Sequence, residues 1–352
     1  MPVFPKSKIK LPMSYSNDLL KALNIRHPLI MAPMFLVSNL SMIKEAINAE
    51  ILGCFPTLNY RKVEDLNDIL IQLNQYLAGR KGLRGNYGVN LIVQKSNPWY
   101  EKHLAVCLEN KVPVIITSLG NPEETIRKVH HYGGKVFCDV TNVEHAAKCF
   151  KAGCDGFVAV GQGAGGHAGP FPLILLIETL KNNFPDKPIL AAGGIANGRA
   201  LLSVLAAGAS AGYCGTRFIA STEAGVSVDY KKAIVESGME DIVMTDRISG
   251  TPCTIINTDF AKKIGTKQNW FERLLSKNPK TKKYFKMIIQ RRGFNWLEEA
   301  VKPGNYNSLW CAGQTVEMIN DIKPVKEIVK DIIHEMEDAY SELELNFESI
   351  NY

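Results

Sequence analysis

The chain has 352 residues, enough for one large domain or two of ordinary size. Hydrophobic residues make up 46% of the sequence and charged residues 22%, a composition that excludes an intrinsically disordered protein. No apolar run reaches the length of a membrane span, and the first residues lack the apolar core of a signal peptide. We therefore expect a cytoplasmic protein without a membrane partner.

The net charge of +6 is concentrated in one segment. Between Phe260 and Arg292, eleven Lys or Arg residues stand against a single acid, Glu272, so this basic window carries about +10 and the rest of the chain is mildly acidic. This distribution argues against a nucleic-acid partner. We interpret the window as a solvated helical face, and the alternative is a site for a phosphorylated co-substrate or an acidic partner.

The eight cysteines are scattered along the chain without a C-x-x-C pair. Because this spacing fits neither a zinc site nor a disulfide framework, we expect no metal and interpret most of these residues as small buried apolar side chains. A redox-active thiol is the alternative.

Eight short apolar runs recur in the first 220 residues or so, separated by stretches typical of amphipathic helices. Their near-continuous apolarity is typical of strands buried on both faces, as in parallel sheets. Short connections between alternating strands and helices indicate right-handed βαβ units, and eight such units close into a (β/α)8 TIM barrel. The predicted strands are LIMAPM from Leu29, ILGCFP from Ile51, YGVNLIV from Tyr87, VPVIITSLG from Val112, VFCDVT from Val136, GFVAVG from Gly156, PILAAGG from Pro188 and AGYCGTRF from Ala211.

An open doubly wound sheet is the alternative fold. It usually opens with G-x-G-x-x-G after the first strand, and LIMAPMFLVSNL contains no glycine, so the barrel is favoured. Helix starts are marked by capping residues, namely Asn39 or Ser41, Asn121 ahead of Pro122, Asn142 and Asn197.

The strand–helix repeat ends near Gly238. Beyond it we predict helical segments around Trp270–Leu275, Tyr284–Gln290 and Val325–Ala339, without a further strand–helix repeat. The expected organisation is a barrel over residues 1–238 and a helical extension over residues 239–352 that packs on it.

Two glycine-containing turns follow the last two predicted strands, where barrel enzymes often bind phosphate. The seventh strand ends in Ala192-Gly193-Gly194 and the eighth in Gly215-Thr216-Arg217, and helix starts are predicted after them, at Asn197 and Ser221. Backbone amides beside glycines and helix N-termini can bind a phosphate dianion. The alternative is that these glycines only permit tight turns.

The loop after the sixth strand, Gly161–Gly169, contains five glycines and one titratable side chain, His167. Its position at a strand's carboxyl end and the ordinary pKa of imidazole favour a proton-transfer role. The other histidines are interpreted as structural; they are His27, His103, His130, His131, His145 and His334.

Five of these motifs, LIMAPM, YGVN, GQGAGGHAG, ILAAGGIANGR and GTRFIAS, resemble those of the nitronate monooxygenase family, formerly called 2-nitropropane dioxygenases. The similarity runs from Leu29 to Glu223, and WCAGQ from Trp310 resembles a C-terminal element of the family.

The resemblance implies an FMN-binding barrel in which Asn90 hydrogen-bonds near the flavin ring and His167 is the catalytic base. The ring would lie against Ala32, Pro33 and Met34. The residues implied in binding the rest of the cofactor, mainly its phosphate, are Gly165, Gly193, Gly194, Gly215 and Thr216. Each also has a structural alternative, such as a strand end for Pro33 or a turn for Asn90.

Two residues depart from the family pattern. Ala164 stands where many relatives have Glu, and Asp139 stands where several relatives have Lys. The second departure replaces a cation near the flavin or substrate by an anion, so it bears on the reaction more than on FMN binding.

The resemblance implies oxidation of alkyl nitronates, in which flavin takes an electron and O2 completes the conversion to a carbonyl compound and nitrite. His167 would remove the α-proton when the substrate is a neutral nitroalkane. An NAD(P)H-dependent reductase of enoyl thioesters or quinones is the alternative on the same scaffold. An accessory component that binds an acidic carrier protein is an alternative of another class. The sequence leaves the oligomeric state open, a homo-oligomer included.

Overall fold

The computed structural model describes residues 17–94, 96–247, 252–267 and 309–348. The strands are β1 (Leu29–Met31), β2 (Leu52–Pro56), β3 (Asn86–Ile92), β4 (Val114–Ser118), β5 (Lys135–Val140), β6 (Gly156–Val160), β7 (Gly166–His167), β8 (Ile189–Ala192), β9 (Ala211–Cys214), β10 (Ile242–Thr245) and β11 (Cys253–Ile256). The helices are α1 (Asp18–Ala22), α2 (Leu40–Asn48), α3 (Val63–Ala78), α4 (Tyr100–Glu109), α5 (Glu123–His130), α6 (Val143–Lys151), α7 (Leu173–Asn183), α8 (Gly198–Ala206), α9 (Thr216–Ile219), α10 (Val228–Glu236), α11 (Asp259–Ile264) and α12 (Val325–Glu348).

Eight parallel strands close into a barrel in the order β1-β2-β3-β4-β5-β6-β8-β9, which confirms the predicted (β/α)8 fold. Each predicted apolar run contributes one barrel strand. The loop between β6 and α7 contains the extra short strand β7, which lies outside the barrel.

The barrel interior is apolar through most of its depth. Alternate residues of each strand point inward, and α1 closes the amino-terminal end of the barrel with leucine side chains. The interior cluster includes Leu19, Leu20, Leu23, Ile30, Leu52, Val114, Phe137 and Leu190. Because this end is filled, space for a ligand is expected at the carboxyl ends of the strands.

The predicted helix caps are largely confirmed. The side chains of Asn39, Asn142 and Asn197 each accept a hydrogen bond from the first turn of the helix that they precede. At α5 the cap position is Pro122 instead, and Asn121 accepts from the backbone N–H of Glu123.

The end of the eighth strand was predicted wrongly. Strand β9 stops at Cys214, and Thr216 begins the short helix α9. Ser221 does not start a helix, because it forms a β-bridge with Lys323; the next helix, α10, is capped by Ser227.

The region after residue 238 contains two strands as well as helices, so the predicted helical extension is not helical throughout. Strands β10 and β11 pair antiparallel, and β11 also pairs with β7 beside the barrel mouth. The segments IVMT and CTII are too short for hydrophobic periodicity to distinguish a strand from a helical turn.

The helix predicted around Val325–Ala339 is confirmed within α12. This helix packs on α8 at Gly198, where a Cβ atom would lie only 2.1 Å from the backbone N of Met336. The segments Trp270–Leu275 and Tyr284–Gln290, with most of the basic window, lie outside the described residues.

All eight cysteines are free, and seven of them are buried, as predicted. Within the described part of the chain, every helix is too short or too polar to cross a membrane.

Candidate active site

Four glycines interlock at the carboxyl ends of β6 and β8, and we call Gly163, Gly165, Gly193 and Gly313 the glycine rim. A Cβ atom on Gly163 would lie 2.9 Å from the backbone N of Gly194, and one on Gly193 would lie 2.8 Å from the backbone N of Ala164. Since real Cβ atoms do not approach this closely, only glycine fits these positions.

The loop that contains His167 is fastened to the rest of the protein from two sides. Thr254 Oγ1 on β11 donates to the carbonyl oxygens of Ala164, over 3.0 Å, and Gly166, over 3.3 Å. On the other side, a Cβ atom on Gly165 would lie 2.8 Å from the backbone N of Gly313. The loop is therefore positioned by residues about 90 and 150 places further along the chain.

His167 lies on β7 with an exposed side chain. Its backbone pairs with Cys253 of β11, so the imidazole is carried on a short antiparallel sheet at the edge of the mouth. A base in this position can exchange protons with a substrate that enters from solvent.

The closed barrel brings Ala32 and Met34 next to Gly215, although these residues follow the first and the last barrel strand in the sequence. Strand β1 pairs with β9, and the backbone N of Ala32 donates to the carbonyl of Cys214 over 2.8 Å. A Cβ atom on Gly215 would lie 3.8 Å from both Ala32 and Met34. Pro33, between them, is partly exposed at the same edge.

Thr216 lies at the start of α9, directly after Gly215. Its hydroxyl oxygen accepts a hydrogen bond from the backbone N of Gly313 over 3.0 Å, which leaves its own hydrogen for an acceptor. A short extra helix after the eighth barrel strand is the usual phosphate-binding element of this fold.

The N-terminus of α8, which Asn197 caps, does not offer a free binding site for an anion. Glu335 of α12 accepts from the backbone N of Gly198 over 2.8 Å. Because this carboxylate would repel a phosphate, an anion is expected nearer Gly194 and Gly215. The guanidinium of Arg217 is also already paired within the protein, with Asp321 over 2.5 Å.

Across the mouth, the carboxyl ends of β3, β4 and β5 contribute a chain of polar side chains. Asn90 Nδ2 donates to Ser118 Oγ over 2.6 Å and to the carbonyl of Ile116 over 3.2 Å. Ser118 in turn donates to Asp139 Oδ2. In the barrel order, β4 lies opposite β9, so this polar chain faces the rim from the far side.

Burial shifts the acid–base behaviour of this polar chain. Loss of hydration raises the pKa of the Asp139 carboxyl to about 6, although the hydrogen bond from Ser118 opposes the shift. Burial, reinforced by the charge of Asp139, raises the pKa of Tyr213 on β9 well above its ordinary range.

Sequence reasoning did not find Ser118, Thr254 or Gly313. Each acts through a contact between distant parts of the chain, and neither periodicity nor local motifs report such contacts. The WCAGQ motif was the only signal that pointed to Gly313. Its segment is held by α10, where Tyr230 stacks on Trp310 with ring centroids 5.4 Å apart.

A family model described as nitronate monooxygenase matches residues 18–335 of the 352-residue chain. The chain belongs to the nitronate monooxygenase family. Like other members of this family it is a flavin-dependent oxidoreductase, so a non-catalytic accessory role is not supported.

Named relatives of this family member do not share one activity. A probable nitronate monooxygenase of Staphylococcus saprophyticus is 27% identical, with 90% of this chain and 98% of the relative covered. A 5-hydroxy-7a-methyl-1-oxo-octahydro-1H-indene-4-carboxyl-CoA dehydrogenase of Rhodococcus jostii is 24% identical, with 90% and 94% covered. The solved structure of FabK from Thermotoga maritima is 30% identical, covers 94% of this chain and 99% of its own, and has a TM-score of 0.80.

Two glycines beside the glycine rim, Gly194 and Gly215, have backbone that a ligand at the mouth could approach. Gly194 has a φ of +72°, and a Cβ atom built on it would meet nothing within 4 Å, so this backbone borders open space. Gly215 borders the same end of the barrel from β9. The open space beside Gly194 can therefore admit a phosphate, although the N–H of Gly194 itself already donates to the carbonyl of Gly163 over 3.2 Å.

Proposed function

We propose that this member of the family binds FMN and oxidises alkyl nitronates with O2 to a carbonyl compound and nitrite. The observation that carries the proposal is the connected unit formed by the glycine rim and the loop of His167. The turn at Gly193 and Gly194, whose backbone borders open space, is thus connected to a loop that carries an exposed base. The matching family model and the Staphylococcus saprophyticus relative add support.

The proposed roles follow from where the side chains lie. Gly193, Gly194, Gly215 and Thr216 would hold the phosphate at the ends of β8 and β9, and Gly165 would keep the loop close to it. Ala32, Pro33 and Met34 would support one edge of the ring beside β1. Asn90 would accept a hydrogen bond from the ring through Oδ1, since its amide hydrogens already bond to Ser118 and Ile116.

When bound, the flavin would supply the electron-accepting chemistry that no side chain of the protein can provide. His167 would take the α-proton of a neutral nitroalkane on an imidazole nitrogen. A nitronate has already lost this proton and would need only to be positioned. The hydrogen bonds from Thr254 to two carbonyl oxygens of the loop would keep the imidazole beside the mouth during this transfer.

A second candidate is an NAD(P)H-dependent reductase of enoyl thioesters or quinones. The acidic side chain of Asp139 favours it, because an anion at the mouth disfavours an anionic nitronate group more than the uncharged enoyl or quinone group that a reductase acts on. The Rhodococcus jostii relative is named for a carboxyl-CoA compound, which adds support for a thioester substrate.

Steady-state assays on a small panel separate these candidates. The panel contains propionate 3-nitronate, ethylnitronate, a crotonyl thioester with NADPH, and a quinone with NADH. The proposal expects O2 consumption with release of nitrite from the first two compounds. Turnover of only the last two would overturn it in favour of the reductase.

The cofactor itself gives a separate prediction. The purified protein should be yellow and should release FMN and not FAD, because Gly194 and Gly215 border space for one phosphate and the sequence has no dinucleotide motif. Mass spectrometry of the cofactor released by heat decides between them. A colourless protein that does not bind added FMN would contradict the proposal.

A further inference from the structure

Asp139 is an ionisable side chain at the barrel mouth to which the roles proposed above give no function. Its neighbours along β5, Cys138 and Val140, point outward into the layer between strands and helices, so the carboxyl group points into the barrel. Ser118 donates a hydrogen bond to it, and Asn90 donates to Ser118 over 2.6 Å. The carboxyl group of Asp139 is thus linked through the hydroxyl of Ser118 to Asn90, the residue expected to face the flavin ring.

The same chain fixes the orientation of Asn90. Both of its amide hydrogens are used, one on Ser118 Oγ and one on the carbonyl oxygen of Ile116. Because a carbonyl can only accept, the Nδ2 atom must face Ile116, and Oδ1 faces the other way. A change in the charge of Asp139 therefore acts on Asn90 through hydrogen bonds of fixed direction.

The ionisable groups coupled to this carboxyl, among the residues described, are Tyr213 on β9 and Cys149 on α6. Burial, reinforced by the Asp139 charge, raises the pKa of Tyr213. A hydrogen bond with Cys138, followed by burial, raises the pKa of Cys149. Both groups are therefore neutral near neutral pH, and neither compensates a negative charge on Asp139.

We propose that Asp139 takes up a proton when the bound flavin is reduced and so keeps the net charge of the barrel mouth constant. The inference rests on the flavin part of the proposed function and not on the nitronate substrate. Reduction brings negative charge to the mouth, and a nearby like charge raises the pKa of a carboxyl group. The pKa of Asp139 already lies at about 6, so a further rise brings it to neutral pH.

The proton balance of this step is simple. The electrons come from the reductant, the proton comes from solvent water, and the only bond that forms on the protein is an O–H bond at one carboxyl oxygen of Asp139. On reoxidation the same proton returns to solvent.

The pH dependence of the flavin midpoint potential tests the proposal. Uptake of one additional proton with two electrons makes reduction tenfold less favourable for each unit rise in pH, which is ~30 mV for a two-electron couple. Between about pH 6 and the higher pKa that Asp139 has when the flavin is reduced, the wild-type potential should show this additional slope, and Asp139→Asn should lose it. Asp139→Glu, which keeps a carboxyl group, should restore it.

The matched control is Asp186→Asn, which removes an exposed acid at the amino-terminal end of β8 and should behave like wild type. Equal slopes in flavin-loaded wild type and Asp139→Asn would overturn this inference but not the proposed function. Failure of the protein to bind flavin would overturn the proposed function and the inference together.

A second measurement uses the oxidised, flavin-loaded protein. Because the folded-state pKa lies above the ordinary value of 3.8, the protonated form favours the fold, and this contribution is lost as pH rises through about 6. Asp139→Asn should therefore melt at a higher temperature than wild type at about pH 8, and the difference should disappear toward about pH 4. A difference that does not change with pH would overturn the inference.

If Asp139→Asn fails to fold, wild-type protein alone suffices. The infrared difference spectrum between reduced and oxidised holoprotein should contain a new carboxylic-acid C=O band. Absence of that band, with complete reduction of the flavin, would overturn the inference.

Discussion

Replacement of His167 by alanine is expected to lower turnover of neutral nitroalkanes by about 10²–10⁴-fold, the usual contribution of a positioned general base. Such a substrate must lose its α-proton before electrons can leave, whereas a nitronate has already lost it. Activity on nitronates should therefore fall much less, with flavin still bound. The measurement is kcat/KM for nitroethane and for ethylnitronate at matched flavin content.

The variant should fold, because the pairing of β7 with β11 uses backbone atoms of residue 167 and not its imidazole. His131→Ala is the matched control, since it removes an exposed histidine that follows α5 on the outside of the barrel. It should leave both activities unchanged. Equal losses on both substrates in His167→Ala would assign this residue to substrate binding or electrostatics.

Gly215→Asp is expected to give a folded protein that has lost its flavin. The residue has a φ of −110°, and a Cβ atom there would lie 3.8 Å from its nearest neighbours, so a side chain has room. A carboxylate would face the phosphate, and two unit charges about 4 Å apart repel by about 4 kcal/mol at an effective dielectric constant of 20, or roughly 10³-fold in Kd. Titration of the apoprotein with FMN measures this change.

Gly215→Ala is the matched control, because it adds the same Cβ atom without a charge and should weaken FMN binding far less. Gly194→Asp should also lose the flavin, but its φ of +72° adds backbone strain, so its melting temperature must be measured alongside. If folded Gly215→Asp binds FMN as tightly as wild type does, the phosphate does not bind beside Gly215.

The barrel could be predicted from the sequence because its strands are buried on both faces and therefore appear as apolar runs. The caps at Asn39, Asn142 and Asn197 were predictable for a similar reason, since each acts on amides only three residues away. The end of β9 was not, because AGYCGTRF stays apolar or β-prone past the point where the chain turns at Gly215. Strand β7 was also missed, since two residues show no periodicity.

The candidate site was predictable only where its residues lie in local motifs. The motifs named the glycines and His167, but the partners that position them are far away in the sequence: Thr254 bonds to a carbonyl 90 residues earlier, and Gly313 to a hydroxyl 97 residues earlier. Asp139 was visible only as a departure from relatives. Its partner Ser118 lies on the neighbouring strand, and that contact depends on the register between β4 and β5, which local sequence does not report.

Anaerobic mixing of the flavin-loaded protein with ethylnitronate, and separately with NADH and NADPH, tests the central claim most directly. Oxidised-flavin absorbance should fall rapidly with ethylnitronate, and admission of O2 should then yield nitrite and acetaldehyde. NADH and NADPH should bleach the flavin slowly or not at all. Rapid bleaching by either nicotinamide, with no response to ethylnitronate, would contradict the account and indicate a reductase.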